Sequence, residues 1–353
     1  MQARHDVPLS RLTTLRLGGP ARRLLEAATA DELVEAVAGA EAAGAPVLVV
    51  AGGSNLVIAD EGFGGTVVRV ATRGVAARGA GERVALDVAA GETWDELVAR
   101  CVAEGLTGIE CLSGIPGSTG ATPIQNVGAY GQEVAERIMS VRAYDPSAAS
   151  VSELTPADCA FSYRSSALRR SERRVVLAVT LLLERSPYAQ PIRYAELART
   201  LAVTPGARPP LSEVREAVLA LRRRKGMVLD PADPDSVSAG SFFVNPILTS
   251  EQLLALERRV AARLGDAIGP PAWPDGNGRV KTSAAWLIEQ AGFHRGYGDG
   301  RVGVSGKHTL ALVNRGGATT AELIAFAREL RDGVERVFGV SLRPEPTLVG
   351  VDL

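Results

Sequence analysis

Between Glu110 and Gly131 the chain sets hydrogen-bonding side chains, Ser113, Thr119, Gln125 and Asn126 among them, between glycines at 114, 117, 120, 128 and 131. Glycine admits positive φ and lets backbone approach another group closely. The stretch has too many glycines and prolines for a helix or strand, yet too few charges for a solvated linker. Ile115, Pro116, Ala129 and Tyr130 keep it apolar. A long apolar loop that presents backbone amides suits a flat polar ligand bearing phosphates. An Ω-loop packed on itself would have the same composition.

A second loop points the same way. Residues 46–50, Pro-Val-Leu-Val-Val, read as a buried strand that runs into Ala51-Gly52-Gly53-Ser54-Asn55-Leu56. Two glycines and a serine after a strand can form a nest of N–H groups around a pyrophosphate. An ordinary turn is the plain alternative. No Gly-x-Gly-x-x-Gly opens a helix, so the dinucleotide fingerprint is missing. Gly303-Val304-Ser305-Gly306-Lys307-His308 is not a P-loop either, because it lacks the four-residue gap and has His where Ser or Thr belongs.

The elements that must position these loops read as mixed α/β. Thr29 and Glu32 form a capping box for a helix that Gly44 closes, and Thr93 with Glu96 form another, stopped at Gly105. Residues 66–71 and 83–89 read as strands, and 175–183 is a continuous apolar run expected as a buried strand. Helices are expected over 211–225, 282–291 and 319–338, the last stopped by Gly339. Pro231-Ala232-Asp233-Pro234-Asp235 looks like a flexible connection, which places a domain boundary near 230. A strand is expected to fold back at 341–352.

Composition sets limits. The 353 residues suffice for two or three domains and a sizeable core. With 39 basic and 40 acidic residues, and no basic tract beyond Arg222-Arg223-Arg224-Lys225, nucleic-acid binding has no electrostatic support. Lysine occurs only at 225, 281 and 307, amid abundant alanine and glycine, as in a GC-rich genome. Cys101, Cys111 and Cys159 have no metal-ligand spacing and are odd in number, so reduced thiols in a cytoplasm, and no metal, are expected. The first residues lack a basic head followed by an apolar run, and no segment is apolar enough to span a membrane.

The two loops together resemble the flavin-binding core of the UDP-N-acetylenolpyruvoylglucosamine reductase family (UDP-N-acetylmuramate dehydrogenases). The resemblance continues through Phe161-Ser162-Tyr163-Arg164-Ser165-Ser166 and Ala239-Gly240-Ser241-Phe242-Phe243-Val244-Asn245-Pro246 to Leu342-Arg343-Pro344-Glu345-Pro346-Thr347-Leu348-Val349-Gly350. It covers nearly the whole chain in order, and Tyr194 matches the tyrosine loop of the larger family type. It implies a two-part FAD-binding domain of the vanillyl-alcohol-oxidase/PCMH type plus a smaller α+β substrate-binding domain. The divisions expected are 1–70 for the first FAD subdomain, with 340–353 folding back onto it, 71–230 for the second, and 231–339 for the substrate domain. A cytoplasmic monomer in peptidoglycan synthesis is implied, and with it a part in cell-wall biogenesis, cell shape and division.

The family reaction reduces an enol ether conjugated to a carboxylate, in UDP-N-acetylglucosamine enolpyruvate, with NADPH as the reductant of non-covalent FAD. Hydride arrives at the β-carbon and charge develops at the α-carbon, so cations or donors and a proton source are needed. By resemblance Arg164 and Glu345 stabilise the enolic intermediate and Ser241 protonates the α-carbon. Arg164 offers a permanently charged fork. Glu345 lies between two prolines and would carry a proton or pair with the arginine, because a bare carboxylate repels an enolate. The resemblance assigns Gly52, Gly53, Ser54, Asn55, Leu56, Ser113, Gly114, Ile115, Pro116, Gly117, Gly120, Gln125, Asn126, Gly128, Ala129 and Tyr130 to FAD. Tyr194, Lys225 and Asn245 are assigned to the sugar nucleotide or NADPH. The resemblance implies that NADPH and the sugar nucleotide use one cleft in turn. Two places depart from the family pattern: one extra residue around His294 and Arg295, and Thr347 where some relatives have arginine.

Three other readings carry less. Covalent FAD through histidine at the 51–56 loop is excluded, since His5, His294 and His308 are the only histidines. A ligand sensor without turnover would have no need of Arg164, Ser241 and Glu345 together. A nicotinamide-only Rossmann dehydrogenase lacks its fingerprint.

Overall fold

The computed structural model describes residues 1–79, 81–170, 174–265, 267–276 and 278–353, and the chain forms two compact units. The first gathers Met1–Pro8, Pro20–Gly53 and Phe63–Val228; the second gathers Leu9–Gly19, Ser54–Gly62 and Leu229–Leu353.

The first unit contains two main sheets. In one, strands Pro20–Ala27 and Val47–Val50 both lie parallel to Phe63–Val70, and Val7–Pro8 adds antiparallel to Pro20–Ala27. Parallel strands need a crossover, and helix Ala30–Ala42 supplies it. Its capping box forms as the sequence predicts: Thr29 Oγ1 accepts the Glu32 amide at 3.2 Å while the Glu32 carboxylate accepts the Thr29 amide at 3.3 Å.

The other sheet is antiparallel, in the order Ser150–Leu154, Ile138–Asp145, Val175–Arg185, Arg83–Ala89, Val75–Arg78. Val175–Arg185 is central and buried almost throughout, which explains its unbroken apolar run. Leu106–Thr107 pairs with its last residues. The core beneath includes Trp94, Leu97, Val98, Val179 and Leu181. A separate small core joins Cys111, Ile192 and Leu197 to Val214, Val218 and Leu221 of helix Leu211–Arg224.

In the second unit, Ser238–Ser241, Ala311–Asn314 and Val302–Val304 form one antiparallel sheet, and Ile247–Leu248, Val280–Thr282 and Ala272–Pro274 another. Helices Ser250–Leu264, Ala284–Gln290 and Thr320–Phe338 pack around Phe242, Leu287, Leu330 and Phe338. Leu56–Ile58 pairs in parallel with Thr347–Val349. The start of the long helix receives help from far away in sequence: Asp60 accepts the amides of Thr320 at 2.7 Å and Ala321 at 2.9 Å. A carboxylate there satisfies orphan donors and complements the helix dipole.

Expectations change at several places, among them Thr93, whose side chain makes no cap bond. The helix expected over 282–291 spans Ala284–Gln290, since Thr282 ends a strand and Ser283 caps the helix. The strand expected at 341–352 shrinks to Thr347–Val349, because Pro344 and Pro346 limit ladder hydrogen bonding. The connection expected to be flexible is anchored. Ser236 Oγ lies 2.8 Å from the Asp230 carbonyl, and Lys307 Nζ lies 2.8 Å from Asp233 Oδ1.

Candidate active site

The loop after strand Val47–Val50 turns sharply at Gly53, with φ of 58°. A side chain at Gly52 would bring its Cβ within 2.6 Å of Gly117 Cα, so the two glycine loops approach as only glycine permits. The long loop is pinned from beneath. Trp94 N donates to Gly117 O at 3.0 Å, Gly120 N to Ala90 O at 2.8 Å, and Gly114 N to Asp95 Oδ1 at 2.6 Å.

That pinning divides the FAD candidates into two groups. The Ser113 hydroxyl donates to Glu110 O at 2.6 Å, and Asn126 donates to Glu133 at 2.7 Å while accepting the Ala135 amide at 3.2 Å. Both side chains are buried and shape the loop from within. Gln125 is buried beside them, and Ile115 packs on the core. The amides of Gly52, Gly53 and Gly117 have no partner among the described residues. Ser118 Oγ, on the same loop, is buried without a partner. An orphaned buried hydroxyl costs free energy unless something bonds it. The loop therefore fits a ligand with acceptor oxygens, as the phosphates of FAD are. Ser118 was missed in the sequence although it lies in the motif itself, because glycines there outweigh a lone serine.

Gly128–Ala129 and Gln132–Glu133 form a hairpin, and its two turn residues, Tyr130 and Gly131, have φ of 48° and 84°. Positive φ at both central positions is the type I′ pattern, unusual for tyrosine. The turn brings the Tyr130 ring edge-on to Tyr194, with centroids 5.5 Å apart, and beneath Lys225 Nζ at 5.7 Å. Burial pushes the Tyr130 hydroxyl up to about 12. Lys225, just past helix Leu211–Arg224, also pairs with Glu196 at 2.7 Å. Tyr194 begins helix Ala195–Thr200, so the tyrosine segment and the lysine are brought together.

Arg164 lies in the first unit, in a tight turn closed by Ser162 and Ser165, whose amides and carbonyls exchange at 2.9 and 3.1 Å. Its φ is 51°. Left-handed backbone at a non-glycine residue is strained, and such strain gathers at functional sites. Its guanidinium donates to Gly128 O at 2.7 Å and Asn126 O at 3.4 Å, on the flavin-type loop.

Ser241 and Glu345 lie in the second unit. Ser241 ends strand Ser238–Ser241, after Gly240 with φ of 73°. Phe242 and Phe243 follow, both 1% exposed and packed edge-to-face. Glu345 N donates to Phe242 O at 2.9 Å and Val244 N to Arg343 O at 3.1 Å, so the structure joins the serine segment to the Pro-Glu-Pro segment. Asn55 joins this edge: Nδ2 donates to Glu345 O at 3.4 Å, and its carbonyl accepts Thr347 N at 2.9 Å. Ser54 and Leu56 flank it, and Leu56 starts the strand opposite Thr347. Asn245 Oδ1 accepts Ala284 N at 3.0 Å and caps a helix. His294 is exposed and Nδ1 meets Arg295 O at 2.9 Å.

Comparison with known proteins decides the family. A family model described as FAD binding domain matches residues 21–152. Another, described as UDP-N-acetylenolpyruvoylglucosamine reductase, C-terminal domain, matches residues 231–349. The chain is 56% identical to the UDP-N-acetylenolpyruvoylglucosamine reductase of Thermobifida fusca, covering 99% of this chain and 98% of that one. It is 57% identical to the protein of the same name from Streptomyces coelicolor, covering 100% and 92%. The chain belongs to the UDP-N-acetylenolpyruvoylglucosamine reductase family. It is an FAD-dependent oxidoreductase. The crystal structure of the reductase from Thermus caldophilus shares the fold, with a TM-score of 0.66 at 24% identity and 99% of both chains covered. Among the described residues no group of His, Cys, Asp or Glu is suited to a metal ion, and no helix is long and apolar enough to cross a membrane.

Proposed function

We propose that this protein reduces UDP-N-acetylglucosamine enolpyruvate to UDP-N-acetylmuramate in peptidoglycan precursor synthesis, with NADPH as the electron donor. Bound FAD would take two electrons from NADPH and deliver them as hydride to the β-carbon of the enol ether. The residues of this chain supply position, field and a proton. Gly52, Gly53, Gly117 and Ser118 offer donors for the FAD phosphates, with the rest of the assigned glycine-loop residues shaping the cradle.

Arg164 takes the substrate carboxylate in a two-pronged contact and draws into it the charge that develops at the α-carbon. Its strained turn fixes the guanidinium before substrate arrives, which lowers the cost of ordering it. Glu345, in its protonated form or paired with a cation, supports the same charge. Ser241 Oγ gives its proton to the α-carbon; a serine hydroxyl is a weak acid, but a carbanion is basic enough to take the proton. Tyr194 and Lys225 contact the sugar diphosphate or NADPH. Asn245 steadies the segment after Ser241 through its helix cap.

The observation that carries this reading is the 2.9 Å hydrogen bond from Glu345 N to Phe242 O. It places the backbone of a proton-donor candidate beside that of a carboxyl candidate from a distant part of the chain. An anaerobic titration tests the function. NADPH should bleach the oxidised-flavin band of the purified protein, and the enolpyruvyl sugar should restore it. Bleaching without recovery would give the flavin another oxidant, and no bound flavin would end the proposal.

A further inference from the structure

Glu110 is 1% exposed, and its carboxylate meets four donors. Gly108 N lies at 2.6 Å from Oε2; Gln190 N at 2.7 Å, Gln132 Nε2 at 3.0 Å and Thr107 Oγ1 at 3.2 Å reach Oε1. A buried carboxylate is tolerable only when so many donors replace its water.

The donors come from three places that matter. Gln132 follows the glycine loop that Glu110 opens, and Gln132 Oε1 in turn accepts the Cys111 amide at 2.8 Å. Glu110 and Gln132 therefore close the base of the loop. Gln190 belongs to the segment that carries Tyr194, and that segment is bonded to 206–209 through Ala189 N to Pro209 O at 2.8 Å and Ile192 N to Ala207 O at 3.0 Å. The tip of the glycine loop touches the same segment, since Tyr130 meets the Tyr194 ring and a Cβ at Gly131 would lie 3.5 Å from Tyr194 N. The tyrosine segment is thus fastened to the glycine loop at two points, the exposed tip and a buried base.

We propose that Glu110 is a positioning residue: its carboxylate locks the tyrosine segment to the base of the flavin loop and so sets where Tyr194 meets the sugar nucleotide. This rests on the reading of Tyr194 as a substrate contact. The buried base matters more than the tip, because water competes little with hydrogen bonds there. Gln in place of Glu110 keeps the shape but turns an acceptor into an NH₂ group facing other donors.

The test is a double-mutant cycle on the full-length FAD enzyme with Glu110→Gln, Tyr194→Ala and the pair. Glu110→Gln is expected to raise KM for the enolpyruvyl sugar about tenfold, with flavin content and the rate of flavin reduction by NADPH within about twofold of the parent. In the Tyr194→Ala background the same change is expected to add nothing, because its effect travels through Tyr194. Effects on KM that multiply in the pair would make Glu110 a general structural residue and overturn the inference, as would an unchanged KM in Glu110→Gln. An unchanged KM in Tyr194→Ala would instead overturn the substrate reading of Tyr194, and the inference with it. Should Glu110→Gln fail to fold, Gln190→Pro removes the amide donor to Glu110, Gln190→Ala removes only the side-chain bond to Glu184 and serves as its control, and the same cycle with Tyr194→Ala applies.

Discussion

Arg164 is where residue chemistry and backbone conformation meet most directly. A φ of 51° suits glycine or asparagine, and an arginine there costs on the order of 1–3 kcal/mol. Within the proposed function that strain has a use, since it aims a fixed cation from a turn two residues wide. Within the same proposal Ser241 stands between Gly240 and two buried phenylalanines, a setting that suits a proton donor. Ser241→Ala should still allow NADPH to bleach the flavin, while reoxidation by the enolpyruvyl sugar slows by roughly a hundredfold or more. Reoxidation at the parental rate in stopped flow would remove Ser241 from its role.

Two helices with the same N-terminal pattern behave differently. At Thr319 the capping box forms, with Thr319 N to Glu322 Oε2 at 2.8 Å and Glu322 N to Thr319 Oγ1 at 3.2 Å. At Thr93 the side chain makes no cap bond. The first amide of helix Trp94–Ala103 goes instead to Gly117 O, so the glycine loop itself caps the helix. Thr319→Ala should therefore lose about 1 kcal/mol of stability and Thr93→Ala only a few tenths, read from denaturation midpoints. Equal losses would mean that the Thr93 hydroxyl caps in solution.

Asp95, on the first turn of the same helix, links Gly114 N to a two-pronged pair with Arg215 at 2.6 and 3.0 Å. Burial raises its pKa, but hydrogen bonds from Arg215 and Gly114 outweigh it and hold the carboxyl below 3.8. A depressed pKa contributes stability above the unfolded value that is lost as pH falls through the folded one. Asp95→Asn should accordingly lower the melting temperature by roughly 2 °C near neutrality. The gap should narrow below pH 3.8 and close once the folded carboxyl protonates. A gap that persists there would assign the effect to packing instead of charge.

At the scale of the whole molecule the chain order and the compact units do not coincide. Residues 9–19 and 54–62 fold with 229–353, and Asp60 caps a helix that begins at Thr320. Arg164 belongs to one unit, Ser241 and Glu345 to the other. If NADPH leaves before the sugar nucleotide enters, initial-rate plots at several fixed concentrations should give parallel lines, with inhibition by excess enolpyruvyl substrate. Intersecting lines would require both to be bound together and would end the alternating scheme.

The sequence by itself determined the elements whose signals are local. Val175–Arg185 was legible because burial on both faces demands an unbroken apolar run, and Thr319–Gly339 because capping and stop residues act within one turn. The glycine loops were legible too, since positive φ and close approach leave few residue choices. Tertiary structure decided everything that depends on a distant partner. The Thr93 pattern gave way to a loop carbonyl, Asn245 became a helix cap, and Ser113 and Asn126 were drawn inside their own loop. Buried polar groups must find partners wherever the fold puts them, and a chain read in order contains no record of which partner will be near.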